Sequence, residues 1–145
     1  MRILGIDFGD SRVGVAVSDP FGWTAQAVET IQNKEGSINR PIQRIMELIV
    51  KYDVKRIVVG YPKNMNGTIG ARAEKTEEFI DKINSALQKN NISGIDIIKW
   101  DERLSTVAAN RTMTETGVKA SKKKGIVDQI AAVYILQGYL DSIRT

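Results

Sequence analysis

Acidic side chains stand at three places in the chain where a reactive site could be built. Asp7 closes the first predicted strand, Asp101 and Glu102 follow the fifth, and Asp128 lies in the first turn of the last predicted helix. Because sites in open α/β sheets gather at the carboxyl ends of strands, these acids could meet at one edge. Carboxylate oxygens are the ligands that Mg²⁺ and Mn²⁺ prefer. The pattern therefore predicts a divalent-cation site, in which either Asp101 or Glu102 could be the middle acid.

The composition narrows the chemistry further. The chain has 145 residues and contains neither histidine nor cysteine. A Ser-His-Asp triad, a Cys-His pair and the usual zinc site all need one of these residue types, so all three are excluded. An enzyme of this composition must rely on carboxylates, Lys, Tyr, Ser or Thr, or on a metal ion held by oxygen.

Each acid also has an ordinary structural explanation. An aspartate after a strand is often only a turn former, and an aspartate in the first turn of a helix can simply complement the helix dipole. Spacing alone does not decide between these explanations and a catalytic cluster.

A loop before the second predicted helix has the composition of an anion-binding segment. Residues 60–70 combine three glycines and two asparagines with Lys63, and backbone N–H groups at a helix start can bind phosphate. The loop lacks the GK[ST] ending of a Walker A motif, and an ordinary surface loop explains it equally well. Asp7-Phe8-Gly9 also spells a kinase motif, but the rest of the kinase signature is missing.

The positive charge of the chain is concentrated in one segment. The net charge is +4, yet residues 103–124 alone contain six basic residues and one acid, a net charge of +5. This segment adjoins both Glu102 and Asp128. A phosphate backbone would be attracted there while the acids bind a cation, although a solvated basic loop is the alternative.

The hydrophobic pattern predicts the elements that must position these residues. Strands are predicted at 3–7, 13–18, 26–32, 56–60 and 95–100, and helices at 38–52, 71 to about 90, 106 to about 116, and about 126 to 142. The basic stretch 119–124 separates the last two helices. Short turns between the first three strands indicate antiparallel pairing, whereas intervening helices indicate parallel pairing for the rest. We therefore expect one α/β domain spanning residues 1–145, of order βββαβαβαα, with a five-stranded mixed sheet and helices on both faces.

Four groups of residues, in order along the chain, resemble the YqgF family, also called RuvX. They are Gly5-Ile6-Asp7-Phe8-Gly9 with Arg12 and Gly14; Gly60-Tyr61-Pro62 through Asn64-Met65-Asn66-Gly67; Asp101-Glu102-Arg103-Leu104-Ser105-Thr106; and Asp128-Gln129 with Ala131-Ala132 and residues 136–140. Members of the family are described as Holliday-junction resolvases and pre-16S rRNA nucleases with an RNase H-like fold. Asp10 and Ser105 are small departures from the family pattern, and neither removes a predicted ligand.

The resemblance implies roles for individual residues. Asp7, Glu102 and Asp128 would be the catalytic acids and would bind one or two Mg²⁺ or Mn²⁺ ions. The residues that would contact the nucleic acid are Arg12, Lys63, Asn64 and Arg103, with Lys122, Lys123 and Lys124 as an outer electrostatic guide.

Precursor rRNA is the favoured substrate, and branched DNA is the alternative. Resolving a four-way junction takes two coordinated cuts and hence a symmetric dimer, so a monomer or weak homodimer suits the RNA role better. Two further alternatives remain. One is an RNA-binding assembly factor without catalysis. The other is a nucleotide-binding domain of the actin and Hsp70 type, because residues 7–14 also resemble the first phosphate motif of those proteins.

The chain shows no sign of a membrane or secretory segment. Asp7 interrupts the first apolar run too early for a signal peptide, and the longest uncharged apolar stretch, 129–140, is shorter than the roughly 20 residues of a membrane span. We expect a cytoplasmic protein that does not bind membranes.

Overall fold

The computed structural model describes residues 1–9, 11–33, 38–62, 70–102 and 120–144, with the backbone alone for residues 120–127. Its elements are β1 (Arg2–Phe8), β2 (Arg12–Ser18), β3 (Ala25–Gln32), α1 (Asn39–Tyr52), β4 (Val54–Tyr61), α2 (Ala71–Lys89), β5 (Asp96–Asp101) and α3 (Ala120–Ile143). All five predicted strands and the first two predicted helices are present, with ends that agree with the prediction or differ from it by at most two residues. The predicted helix 106–116 lies outside the described residues.

The five strands form one mixed sheet of order β3-β2-β1-β4-β5. β1 pairs antiparallel with β2, and β2 pairs antiparallel with β3. β4 lies parallel to both β1 and β5. This arrangement confirms the predicted topology and places the end of β1 at the centre of one edge of the sheet.

Helices cover both faces of this sheet, as the sequence predicts. One face, here called the α1/α2 face, buries large side chains such as Ile6 and Val15 against α1 and α2. The other face, the α3 face, carries Ile3, Ala16 and Val58, which pack against α3. Successive residues of a strand point to opposite faces, so each strand contributes to both layers.

The last helix begins earlier than the sequence predicts. α3 starts at Ala120, so residues 120–124 belong to the helix rather than separating two helices. Lysine and alanine are good helix formers, and Gly125 costs only about 1 kcal/mol within a helix. Because of this earlier start, Asp128 lies in the third turn of α3 and not in its first turn.

Among the residues that the structure describes, no helix is both long and apolar enough to cross a lipid bilayer.

Candidate active site

Asp7 is a nearly buried carboxylate at the centre of the sheet edge. It is the last residue but one of β1, and only 4% of its surface is exposed. Ile3 belongs to the core beneath α3, and Leu4 and Ile6 belong to the opposite core. Alternation along the strand therefore places Asp7 on the α3 face.

Asp128 rests on the strand next to Asp7. The β2 residue paired with Asp7 is Gly14. A Cβ added at Gly14 would lie 3.1 Å from the Cβ of Asp128 and only 2.1 Å from its main-chain oxygen, and the second distance is closer than real atoms approach. Only a glycine permits this contact, so the absence of a side chain at Gly14 determines how near Asp128 comes to Asp7.

Glu102 occupies the equivalent position on the other side of Asp7. Val59 of β4 pairs with Ile6, so Gly60 follows level with Asp7 on the neighbouring strand. A Cβ added at Gly60 would lie 2.7 Å from Oε1 of Glu102 and 3.2 Å from its Cγ. The Glu102 carboxyl group therefore lies over Gly60 on the α3 face.

These contacts place the three predicted acids on the same face of three adjacent strands. Neighbouring strands are about 4.8 Å apart, so Gly14 and Gly60, on which Asp128 and Glu102 lie, are each about one strand spacing from Asp7. Ile98 and Trp100 pack on the α3 face, and alternation assigns Asp101 to the opposite one. Of the two neighbouring acids, Glu102 thus shares its face with Asp7.

Asp128 has a basic partner from the start of β2. Nε of Arg12 donates a hydrogen bond to Oδ2 of Asp128 over 2.8 Å. The two side chains are partly buried, with 27% and 18% of their surfaces exposed. The third-turn position of Asp128 also excludes the helix-dipole explanation, because that effect is confined to the first turn.

The donor set fits a divalent cation by its chemistry, since Mg²⁺ and Mn²⁺ prefer carboxylate oxygens. Within residues 1–102 and 120–144, so far as these are described, no three acidic side chains converge closely enough to hold an ion. The carboxylate of Asp128 is bound to Arg12 instead. The three acids therefore share one edge without forming a ready-made cage.

Comparison with known proteins identifies the family. Residues 1–142 match the profile of the RuvX family, which is described as Holliday junction resolvase. The chain belongs to the RuvX family. A relative from Acetivibrio thermocellus is 64% identical over 98% of this chain and 96% of its own length, and one from Clostridium tetani is 52% identical over 99% and 98%. Both are named "Putative pre-16S rRNA nuclease". Membership in RuvX confirms the enzyme class expected from the sequence, a nuclease.

Solved structures support the fold. RuvC of T. thermophilus in complex with a Holliday junction substrate superposes with a TM-score of 0.62 at 15% identity, covering 100% of this chain and 98% of RuvC. The Fowlpox virus resolvase in complex with Holliday junction DNA gives 0.55 at 11% identity, with complete coverage of both chains. At these identities the likeness concerns the fold, and it confirms the RNase H-like architecture of this RuvX chain.

The described part of the RuvX chain places one of the predicted nucleic-acid contacts. Arg12 stands at the site, bound to Asp128. Lys63, Asn64 and Arg103 lie outside the described residues. Lys122, Lys123 and Lys124 belong to the first turns of α3, whose side chains are not described there.

A hydrogen-bonded group of three polar side chains, Tyr61, Glu77 and Lys99, lies near the site but on the α1/α2 face. The hydroxyl of Tyr61 donates to Oε1 of Glu77 over 2.8 Å, and Nζ of Lys99 donates to the same oxygen over 2.6 Å. Burial raises the pKa of Tyr61, and the neighbouring Glu77 carboxylate raises it further. The bonds from Lys99 and Tyr61 lower the pKa of Glu77. These groups are occupied with one another on the face opposite Asp7.

Two features of the RuvX site were missed from sequence. The roles of Gly14 and Gly60 as contact points could have been suspected, because glycine within a strand often marks the close approach of another segment. The pairing of Arg12 with Asp128 joins residues 116 positions apart, and no local pattern indicates it.

Proposed function

We propose that this RuvX protein is a metal-dependent nuclease that hydrolyses phosphodiester bonds at the 5′ end of precursor 16S rRNA, with Asp7, Glu102 and Asp128 as cation ligands. One observation carries the assignment of the site. Gly14 and Gly60 flank the Asp7 position, and each bears one of the other two acids on the same face of the sheet.

The position of each acid indicates how it would bind a cation. Asp7 is central and nearly buried, so it would be the central cation ligand, and Glu102 and Asp128 would complete the cage from either side. Mg²⁺ or Mn²⁺, when bound, supplies a Lewis acid that activates water and stabilises the leaving oxygen of a phosphodiester. The chain itself provides rigid placement, because Asp7 comes from a central strand and Asp128 from a helix packed against that sheet.

Basic residues would position the nucleic acid. Arg12 already stands beside the acids, and a guanidinium can bind two phosphate oxygens at once. Lys63, Asn64 and Arg103 would add further phosphate contacts, and Lys122, Lys123 and Lys124 would attract the backbone from a distance. Such an enzyme would act in the cytoplasm, as a monomer or weak homodimer.

The choice of RNA is supported by the names of the relatives, whereas the family description favours branched DNA as the second candidate. Junction resolution would require two copies of the site in a symmetric dimer. A solution mass that showed an obligate dimer would favour the junction role.

The decisive experiment offers end-labelled precursor 16S rRNA and a four-way DNA junction in parallel, with Mg²⁺, Mn²⁺ or a chelator. We expect wild type to cut the RNA and leave 5′-phosphate and 3′-hydroxyl ends, and Asp7→Asn to be inactive. Glu102→Gln should also abolish cutting, whereas Asp101→Asn, the matched change on the opposite face, should preserve it.

Each other result has a definite meaning. Equal cleavage by wild type and Asp7→Asn would refute the proposed site. Preferential cutting of the junction would replace RNA processing with resolution. RNA binding that ignores Mg²⁺ and yields no products would indicate an assembly factor without catalysis.

A further inference from the structure

One proposed cation ligand is already bound to a cation of the protein itself. Nε of Arg12 donates to Oδ2 of Asp128 over 2.8 Å. A carboxylate oxygen that accepts this bond has fewer lone pairs to offer an ion, and the guanidinium charge repels a divalent cation. The Arg12–Asp128 pair therefore competes directly with the ligand role of Asp128.

The backbone holds this pair in place. Arg12 is the first residue of β2, two positions before Gly14, so alternation puts both on the α3 face. The main-chain oxygen of Asp128 lies against Gly14, which fixes the turn of α3 beside the strand. Both partners thus come from packed elements, and their partial burial makes the attraction stronger than in an exposed pair.

The arrangement of the acids agrees with such a competition. Asp7, Glu102 and Asp128 share one edge of the sheet, yet no three acids of the described residues form a cage. Release of Asp128 from Arg12 is the change that would make its carboxylate available.

We propose that Arg12 is a displaceable counter-ion that occupies Asp128 in the metal-free enzyme and leaves it when a divalent cation binds. Arg12 then becomes available to a phosphate oxygen of the nucleic acid. Arg12 is thus a positioning residue that couples cation binding to substrate binding. This inference rests on the proposed nuclease function, and it adds that cation binding precedes the contact of Arg12 with the nucleic acid.

The test measures Mn²⁺ binding without nucleic acid, from the electron paramagnetic resonance signal of free Mn²⁺, for wild type, Arg12→Gln and Arg12→Lys. We expect Arg12→Gln to bind Mn²⁺ about fivefold more tightly, which corresponds to about 1 kcal/mol for a partly buried pair. Arg12→Lys keeps the charge and should remain near wild type. At saturating Mn²⁺, Arg12→Gln should cleave with a raised KM for RNA.

Two controls separate the pair from a general effect of charge. Arg44→Gln removes the same charge from an arginine that is bound to Glu29 and Glu47, and it should leave Mn²⁺ affinity unchanged. In an Asp128→Asn background, Arg12→Gln should no longer tighten binding, because the interaction that it breaks is already gone. Circular dichroism and thermal melting of each apo-protein establish that it is folded.

The outcomes distinguish this inference from the function on which it rests. If wild type binds Mn²⁺ and cleaves but Arg12→Gln binds no more tightly, the displaceable pair is refuted and the nuclease stands. Equal tightening in the Asp128→Asn background also refutes the pair. If no folded variant binds Mn²⁺ or cleaves, the metal-dependent function itself is overturned.

Discussion

The two faces of the sheet are packed by different means. The α1/α2 face buries large branched and aromatic side chains, among them Leu48, Phe79 and Ile83. The α3 face is packed with small residues instead. Those of the sheet are Gly5, Gly14, Ala16 and Gly60, and helix α3 contributes Ala131 and Ala132. Large side chains hold a helix away from a sheet, whereas small ones let the two backbones approach.

This difference implies that the α1/α2 face mainly stabilises the fold, whereas the α3 face mainly positions the acids. A core of large side chains gains free energy in proportion to its apolar area and tolerates small shifts of its helices. The α3 face also has a core, around Ile135 and Leu136, but its glycines fix how close α3 lies to the acids. Mutations on the two faces should therefore affect different measurable quantities.

The largest effect on stability should follow from Leu48→Ala on the α1/α2 face. Leu48 is fully buried, and its truncation should lower the free energy of unfolding by about 3 kcal/mol and the melting temperature by about 10 °C. Because α3 and the acids do not depend on this position, cleavage per folded molecule should stay within about twofold of wild type. Chemical denaturation and single-turnover cleavage measure the two quantities, and a large loss of activity in the folded protein would contradict the separation of the faces.

Gly14→Ala, on the α3 face, should affect catalysis more than stability. The new Cβ would meet the main-chain oxygen of Asp128 at 2.1 Å, so the start of the packed part of α3 must move away from β2. A displacement of about 1 Å in a catalytic group can cost about a hundredfold in rate, or about 2.7 kcal/mol of barrier. We expect this loss in kcat at saturating Mn²⁺.

Gly138, which lies in helix α3, provides the control for Gly14→Ala. A Cβ at Gly138 would come no closer than 3.3 Å to Trp100, and alanine is the better helix former. The Trp100 ring must shift by a few tenths of an ångström to admit this Cβ, which is far less than the main-chain conflict at Gly14, so Gly138→Ala should retain activity close to wild type. Similar losses in Gly14→Ala and Gly138→Ala would show that α3 as a whole is sensitive, and that contact at Gly14 has no special role.

Gly60→Ala should have an intermediate effect. The added Cβ would lie 2.5 Å from Cδ1 of Ile135 and 2.7 Å from Oε1 of Glu102. Both atoms are at the far ends of side chains that can rotate, whereas the atom opposed to Gly14 belongs to the main chain. We expect cleavage to fall about tenfold, or about 1.4 kcal/mol of barrier, and Mn²⁺ affinity to fall with it. A loss as large as that of Gly14→Ala would mean that Glu102 cannot adjust.

The sequence predicts the fold more completely than the site. Alternating and helical apolar patterns locate all five strands and α1 and α2 within two residues, because burial imposes those periods locally. The sequence pattern predicts a start of α3 that is about six residues too late, because Gly125 and the lysines before it resemble a break although each is compatible with a helix. A glycine within a strand, such as Gly14, indicates that some segment approaches closely. Neither Asp128 as that segment nor Arg12 as the partner of Asp128 can be derived, because these contacts exist only after the sheet has formed.

The smallest effect concerns the polar rim of the α1/α2 face. Lys99 and Tyr61 both donate to Glu77, which lowers its pKa below the ordinary 4.5. A lowered carboxyl pKa stabilises the fold at pH values above 4.5, and this contribution is lost as the pH falls through the lower value of the folded state. Glu77→Gln should therefore cost at most about 0.5 kcal/mol at pH 7, since Lys99 and Glu77 are 45% and 38% exposed and are screened by solvent.

The pH dependence of that cost identifies its origin. The difference in melting temperature between wild type and Glu77→Gln should shrink progressively below pH 4.5, because the wild-type carboxyl group is protonated first in the unfolded chain and, at lower pH, in the fold as well. The neighbouring exposed Glu78 offers a matched change, Glu78→Gln, which should have a smaller effect at every pH. A difference that did not shrink at all as the pH fell below 4.5 would assign the role of Glu77 to packing instead of charge. Catalysis at neutral pH should be unchanged in both variants, because this network lies across the sheet from Asp7.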